Sequence, residues 1–182
     1  MRVLLVEDAI AKAEECISYL DSLKYEYRLV STEKDAKRII KSSEKFDLVL
    51  LDMELVTSSA MGASQERHSG IRILNCMKCN EVSTPVILIT AYWDVVNMKL
   101  GSDIHCFYNE RYFYNVDDPM SSNDIEPNYK EHNNKQLITL KDLHLFLCHR
   151  YKNYIGTVEY SKINNLWKKN LYDLITQYFK SV

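Results

Sequence analysis

Asp52 stands at the end of an apolar run, Phe46-Asp47-Leu48-Val49-Leu50-Leu51, with Met53 and Glu54 directly behind it. A second run, Arg2-Val3-Leu4-Leu5-Val6, leads straight into Glu7 and Asp8. If both runs are strands of one sheet, three carboxylates meet in one small crevice. Carboxylates crowded in this way repel one another, and a hard divalent cation with oxygen ligands relieves the repulsion. Magnesium suits such a site, because it tolerates a few carboxylates, a backbone carbonyl and several waters. A third apolar run, Pro85 to Ile89, ends in Thr90-Ala91.

These residues need elements that hold them at one edge. An apolar run of strand length that stops at a polar group reads as a strand buried on both faces of a parallel sheet. Between the runs, Ile10, Ala13, Ile17, Leu20 and Leu23 recur at helical spacing, predicting a helix over 9–23. Tyr25 to Val30 reads as a second strand. Thr32 and Asp35 resemble a capping box that opens a helix carrying Ala36, Ile39 and Ile40 inward. Ile71, Leu74 and Met77 mark a third helix. The order β-α-β-α-β predicts an α/β fold with a doubly wound parallel sheet, whose ligands bind at the carboxyl ends of the strands.

The motifs VLLVED, DLVLLDMEL and PVILITA, in this order, resemble the receiver domain of two-component response regulators, over roughly residues 1 to 110. The resemblance implies a five-stranded, flavodoxin-like sheet and a phosphoryl group accepted on Asp52 as an aspartyl phosphate. It implies Mg2+ held by Asp8 and Asp52, by the Glu54 carbonyl, and by Glu7 largely through water. Thr90 matches the switch hydroxyl, and His105 falls near the coupled aromatic position. The implied partners are a histidine kinase or phosphotransfer protein and an output protein of unknown identity.

The chain departs from the pattern in several places. Receivers place a glycine nearer the acceptor; here the fitting glycine is Gly70, eighteen residues beyond Asp52, so Thr57 to Ser69 reads as an insertion beside the crevice, either a lid or partner surface or a plain surface loop. The helix over 93–100 is short. A fifth strand is expected over Ile104 to Tyr108, which puts Tyr108 where the family has a lysine; Arg111 or a loop residue would have to compensate. Residues 115–136 read as a polar loop, and 137–182 as a helical C-terminal extension packed on a receiver-like domain of residues 1–114. Its final helix, about Ser161 to Lys180, carries Ile163, Leu166, Trp167, Leu174, Ile175 and Tyr178 in one stripe, for the core, for a partner or for a homodimer.

A net charge of -2 gives no general attraction to nucleic acid or an anionic membrane. Lys162, Lys168 and Lys169 beside Trp167 read as a solvated helix face, since no DNA-binding motif follows the receiver-like part. Five cysteines, mostly on core-like segments, suit reduced thiols, and Cys76 with Cys79 forms only one metal-spaced pair where zinc takes four ligands. No apolar run approaches the roughly 20 residues of a membrane span, and no signal peptide is evident, so a cytoplasmic location is expected. Two functions fit: a single-domain response regulator in a phosphorelay, signalling by protein contact, or a phosphorylation-independent pseudo-receiver acting as an interaction module.

Overall fold

The computed structural model describes residues 1–56, 65–66, 69–91 and 147–181. Met1–Tyr92 and Leu147–Val182 form one compact unit. Its strands and helices follow in the order β1 (Arg2–Val6), α1 (Ile10–Ser22), β2 (Glu26–Val30), α2 (Glu33–Ile40), β3 (Leu48–Leu51), β4 (Leu55–Val56), β5 (Gln65–Glu66), α3 (Ser69–Cys79), β6 (Val86–Thr90), β7 (Tyr154–Glu159) and α4 (Leu166–Ser181).

Five strands make one sheet in the order β2-β1-β3-β6-β7, with every pairing parallel. The continuous apolar runs are explained by burial: all of β3 and β6, and Val3 to Val6 of β1, are shielded from water. Parallel sheets covered on both faces require such runs. The edge strand β2 is exposed along nearly its whole length. Thr32 is the N-cap of α2. Thr32 Oγ1 accepts from the Asp35 amide at 3.1 Å and donates to Asp35 Oδ2 at 2.8 Å.

The buried stripe of α1 differs from the one the apolar residues suggest. Lys12, Ala13, Cys16 and Leu20 face inward, while Ile10 is 75% exposed. Lys12 is held inside by ion pairs with Glu7 and Asp52.

The larger correction concerns the fifth strand, which is Tyr154–Glu159 rather than Ile104 to Tyr108. Residues 104–108 lie outside the described residues, as do the expected helix over 93–100 and the loop over 115–136. Tyr154, within the extension expected to be helical, opens β7 instead, and a helical turn over 147–150 precedes it. The last strand and last helix of the sheet thus come from the stretch expected as an extension. Gly156 shows how closely they pack, since a Cβ there would sit 2.9 Å from both methyl carbons of Leu174 on α4.

The C-terminal stripe is core. Trp167, Leu171 and Ile175 are buried against Val158, Tyr160, Leu50 and Ile87, whereas Ile163 and Leu166 are exposed. The two residues before the insertion pair antiparallel with two near its end, Leu55 opposite Glu66 and Val56 opposite Gln65. Cys16, Cys76, Cys79 and Cys148 are free thiols, and Cys79 and Cys148 are exposed rather than in the core. No helix among the described residues is long and apolar enough to cross a membrane.

Candidate active site

Registers bring the acids together. Val6 pairs with Leu51 across β1 and β3, so Glu7 and Asp52 leave adjacent strands at the same edge. The Asp52 amide donates to the Val6 carbonyl at 3.0 Å, which carries the pairing one residue past the strand. Glu7, Asp8 and Asp52 each offer one oxygen, and these oxygens lie within 4.8 Å of one another. Glu7 and Asp52 are buried, and Asp8 is half-buried.

Gly70 shapes the floor of this edge. Its amide donates to the Met53 carbonyl at 3.1 Å, and a Cβ at this position would meet the Asp52 carbonyl at 2.8 Å. A real Cβ does not approach backbone so closely, so a side chain here would push α3 off the loop that carries Asp52. Ser69 beside it donates to the Leu55 carbonyl at 3.0 Å, fixing the base of the β4–β5 hairpin.

One group that the sequence reading missed lies among the acids. Lys12 Nζ, from the first turn of α1, is 2.6 Å from Glu7 Oε2 and 2.9 Å from Asp52 Oδ1. It also donates to the Ile89 carbonyl at 2.8 Å, so a single ammonium bridges the ends of β1, β3 and β6. The Tyr160 ring, just past β7, lies with its centroid 5.7 Å from the same nitrogen, within cation–π range.

The electrostatics follow from burial and from these neighbours. Burial pushes the Glu7 carboxyl up to about 7; the Asp52 charge adds to this and Lys12 opposes it. Burial likewise raises the Asp52 carboxyl against the pull of Lys12, and the Asp8 charge adds a smaller push. For Lys12, burial disfavours the ammonium, but Asp52 and Glu7 outweigh it and raise its pKa. Glu7 Oε1 accepts from the Ala9 amide at 3.0 Å. Glu7 Oε2 is buried and has the Lys12 ammonium 2.6 Å away.

Asp52 Oδ1 accepts from the Met53 amide at 2.8 Å as well as facing Lys12. Thr90 closes β6, is buried, and lies two residues past Leu88, the partner of Leu51, so its strand ends beside that of Asp52. Glu54 follows in the loop and is half-buried. His105 lies outside the described residues.

The fifth strand ends at Glu159, opposite Thr90, so Glu159 and not Tyr108 stands where the resemblance expects a lysine. Lys162 follows three residues later, and Tyr108 and Arg111 lie outside the described residues. Sequence alone gave little sign of Lys12, because a lysine on an amphipathic helix reads as solvated. Its position five residues after Glu7, the acid that closes a buried strand, is the one available hint.

No protein-family model matches the sequence, and no curated protein matches it. Solved structures do. A response regulator receiver domain protein (CheY-like) from Methanospirillum hungatei aligns over 99% of this chain and 94% of its own, with a TM-score of 0.54 and 15% identity. A response regulator protein from Thermotoga maritima, solved in complex with Mg2+-BeF, aligns over 95% of this chain and 97% of its own, with a TM-score of 0.50 and 17% identity. A signal receiver domain from Vibrio parahaemolyticus is 33% identical over half of this chain, with a TM-score of 0.41, and this chain spans 62% of its length. The chain has the fold of the response regulator receiver domains.

Proposed function

We propose that this chain is a response regulator that accepts a phosphoryl group on Asp52 from a histidine kinase or phosphotransfer protein and passes the signal on by protein contact. The observation that carries the reading is the meeting of Glu7, Asp8 and Asp52, with oxygens within 4.8 Å, at the carboxyl edge of a receiver-type sheet. That edge is where open α/β sheets bind their ligands.

The donor set of three clustered carboxylates suits a hard divalent cation. Asp8, Asp52 and the Glu54 carbonyl would hold Mg2+, with Glu7 behind them. The ion, when bound, would neutralise charge between the acids and the incoming phosphoryl oxygens. The likeness to a structure holding Mg2+-BeF supports this assignment.

Asp52 is the nucleophile in this reading. Its carboxylate oxygen attacks phosphorus, and the leaving group departs from the opposite side with the bonding electrons. The Met53 amide and Lys12 hold Oδ1 in one orientation. The Thr90 hydroxyl, on the next strand, is the donor assigned to the new phosphoryl oxygens, with His105 as its coupled residue. Output passes to a partner protein, with no nucleic-acid or membrane contact, in the cytoplasm.

One observation favours the second reading, a phosphorylation-independent interaction module. Lys12 already occupies Asp52 Oδ1, and Glu159 ends the strand where a cation is expected. Intact mass after incubation with acetyl phosphate and Mg2+ separates the two. Gain of one phosphoryl group that disappears in Asp52→Ala supports the acceptor; no gain, with candidate kinases also inactive, leaves the interaction module.

A further inference from the structure

We propose that the Lys12 ammonium is the resident cation of the acidic crevice, and that it and a divalent metal ion occupy the Asp52 carboxylate in alternation. The inference rests on reading Glu7, Asp8 and Asp52 as a metal-binding set.

An ammonium carries three N–H donors and no acceptor. Here three oxygens surround it: Glu7 Oε2 at 2.6 Å, Asp52 Oδ1 at 2.9 Å and the Ile89 carbonyl at 2.8 Å. The side chain is only 5% exposed. A buried ammonium is costly unless its charge is matched, and two carboxylates and a carbonyl match it. The Tyr160 ring adds a favourable contact from the side of β7.

The Asp52 carboxylate that Lys12 holds is also a ligand that a divalent ion at this edge needs. Magnesium binds oxygen at about 2.1 Å, so an ion on the carboxylates of Asp8 and Asp52 would fall close to the ammonium, and like charges at that spacing repel strongly. Both cannot stay. Metal entry therefore requires Lys12 to withdraw. Its four-carbon stem permits this, and Ile10 and Ala11 beside it on α1 already face solvent. Without metal, Lys12 keeps the acids neutralised and ties Asp52 to β6. With metal, α1 loses that tie.

The test uses Mn2+ as the probe, titrated into the full chain with free ion read by electron paramagnetic resonance. Lys12→Met keeps the length and apolar stem while removing the charge, and it should bind Mn2+ about tenfold more tightly than the wild type, within the usual range of coupling between sites. Lys12→Arg should show no tightening. The gain should vanish when Asp52→Asn is added to Lys12→Met. Thermal melting reads the same coupling in less stable variants, with Mn2+ raising the Tm of Lys12→Met more than that of the wild type.

Equal affinities and equal Tm gains in wild type and Lys12→Met would overturn the proposal. So would the absence of Mn2+ binding in both proteins. No phosphoryl donor is present, so failure of Asp52 to accept a phosphoryl group leaves this result standing, and failure here leaves the acetyl phosphate test intact.

Discussion

A charged side chain is folded inward only where its partner is already fixed, and Glu33 shows the rule as clearly as Lys12 does. Glu33 opens α2, is buried, and meets Arg72 of α3 through Nε at 3.0 Å and through the terminal nitrogen at 2.6 Å, with Lys37 at 2.6 Å on its own helix. Burial works against its charge, but Arg72 and Lys37 outweigh burial and hold its carboxyl below the ordinary value of 4.5. The folded state then binds its proton less readily than the unfolded chain. Its stabilising contribution is complete above about pH 4.5 and is lost as pH falls through the folded value. Glu33→Gln should cost about 1–3 kcal/mol at pH 7, since Arg72 loses its charged acceptor, and the cost should shrink as pH drops below 4.5. Urea unfolding of both proteins at pH 7 and at pH 4 and below would show this, and a penalty that is constant with pH would contradict it. At this scale the acids were legible in the sequence because each closes an apolar run. Lys12 and Arg72 were not, because nothing local distinguishes an inward lysine or arginine from a solvated one.

The elements were legible where periodicity and chain order agree. Helix ends add a detail that periodicity does not carry. After α1, the Tyr25 amide donates to the Leu20 carbonyl at 3.0 Å and the Lys24 amide to Asp21 at 2.9 Å, with Lys24 at φ 57°. After α3, Val82 donates to Met77 at 2.9 Å and Glu81 to Lys78 at 3.1 Å, with Glu81 at φ 52°. Both are Schellman ends, with a side chain in the left-handed position that glycine occupies most readily. Lys24→Gly and Glu81→Gly should each raise stability, by up to about 1 kcal/mol, read from the denaturation midpoint with an unchanged slope. Thr32→Ala should act in the opposite sense, costing about 1 kcal/mol through loss of the α2 cap. Strand β7 was illegible for a physical reason. Tyr-Ile-Gly-Thr-Val-Glu alternates around a glycine instead of running apolar, and its place beside β6 is set by pairing across the sheet, not by nearness in sequence.

Whole-molecule organisation depends on that late strand. A boundary near residue 114 implies that the preceding segment folds alone, yet the core shared by β1, β3 and β6 also includes Val158, Tyr160, Trp167, Leu171 and Ile175. Trp167 alone packs on Tyr19 of α1 at 5.6 Å between ring centroids and on Tyr160 at 5.4 Å. Burial of a large apolar side chain contributes about 2 kcal/mol, so the loss of these five removes about 10 kcal/mol. A domain of this size is stable by only about 5–15 kcal/mol in total. Loss of β7 also leaves the fully apolar β6 as an open edge, which invites aggregation. A fragment of residues 1–114 should therefore fail to give a cooperative melt or dispersed amide resonances. Supplying residues 137–182 as a separate chain should restore both, because β7 and α4 bring their own half of the core. A cooperatively folded 1–114 fragment would instead mean that β6 is completed from within residues 93–114.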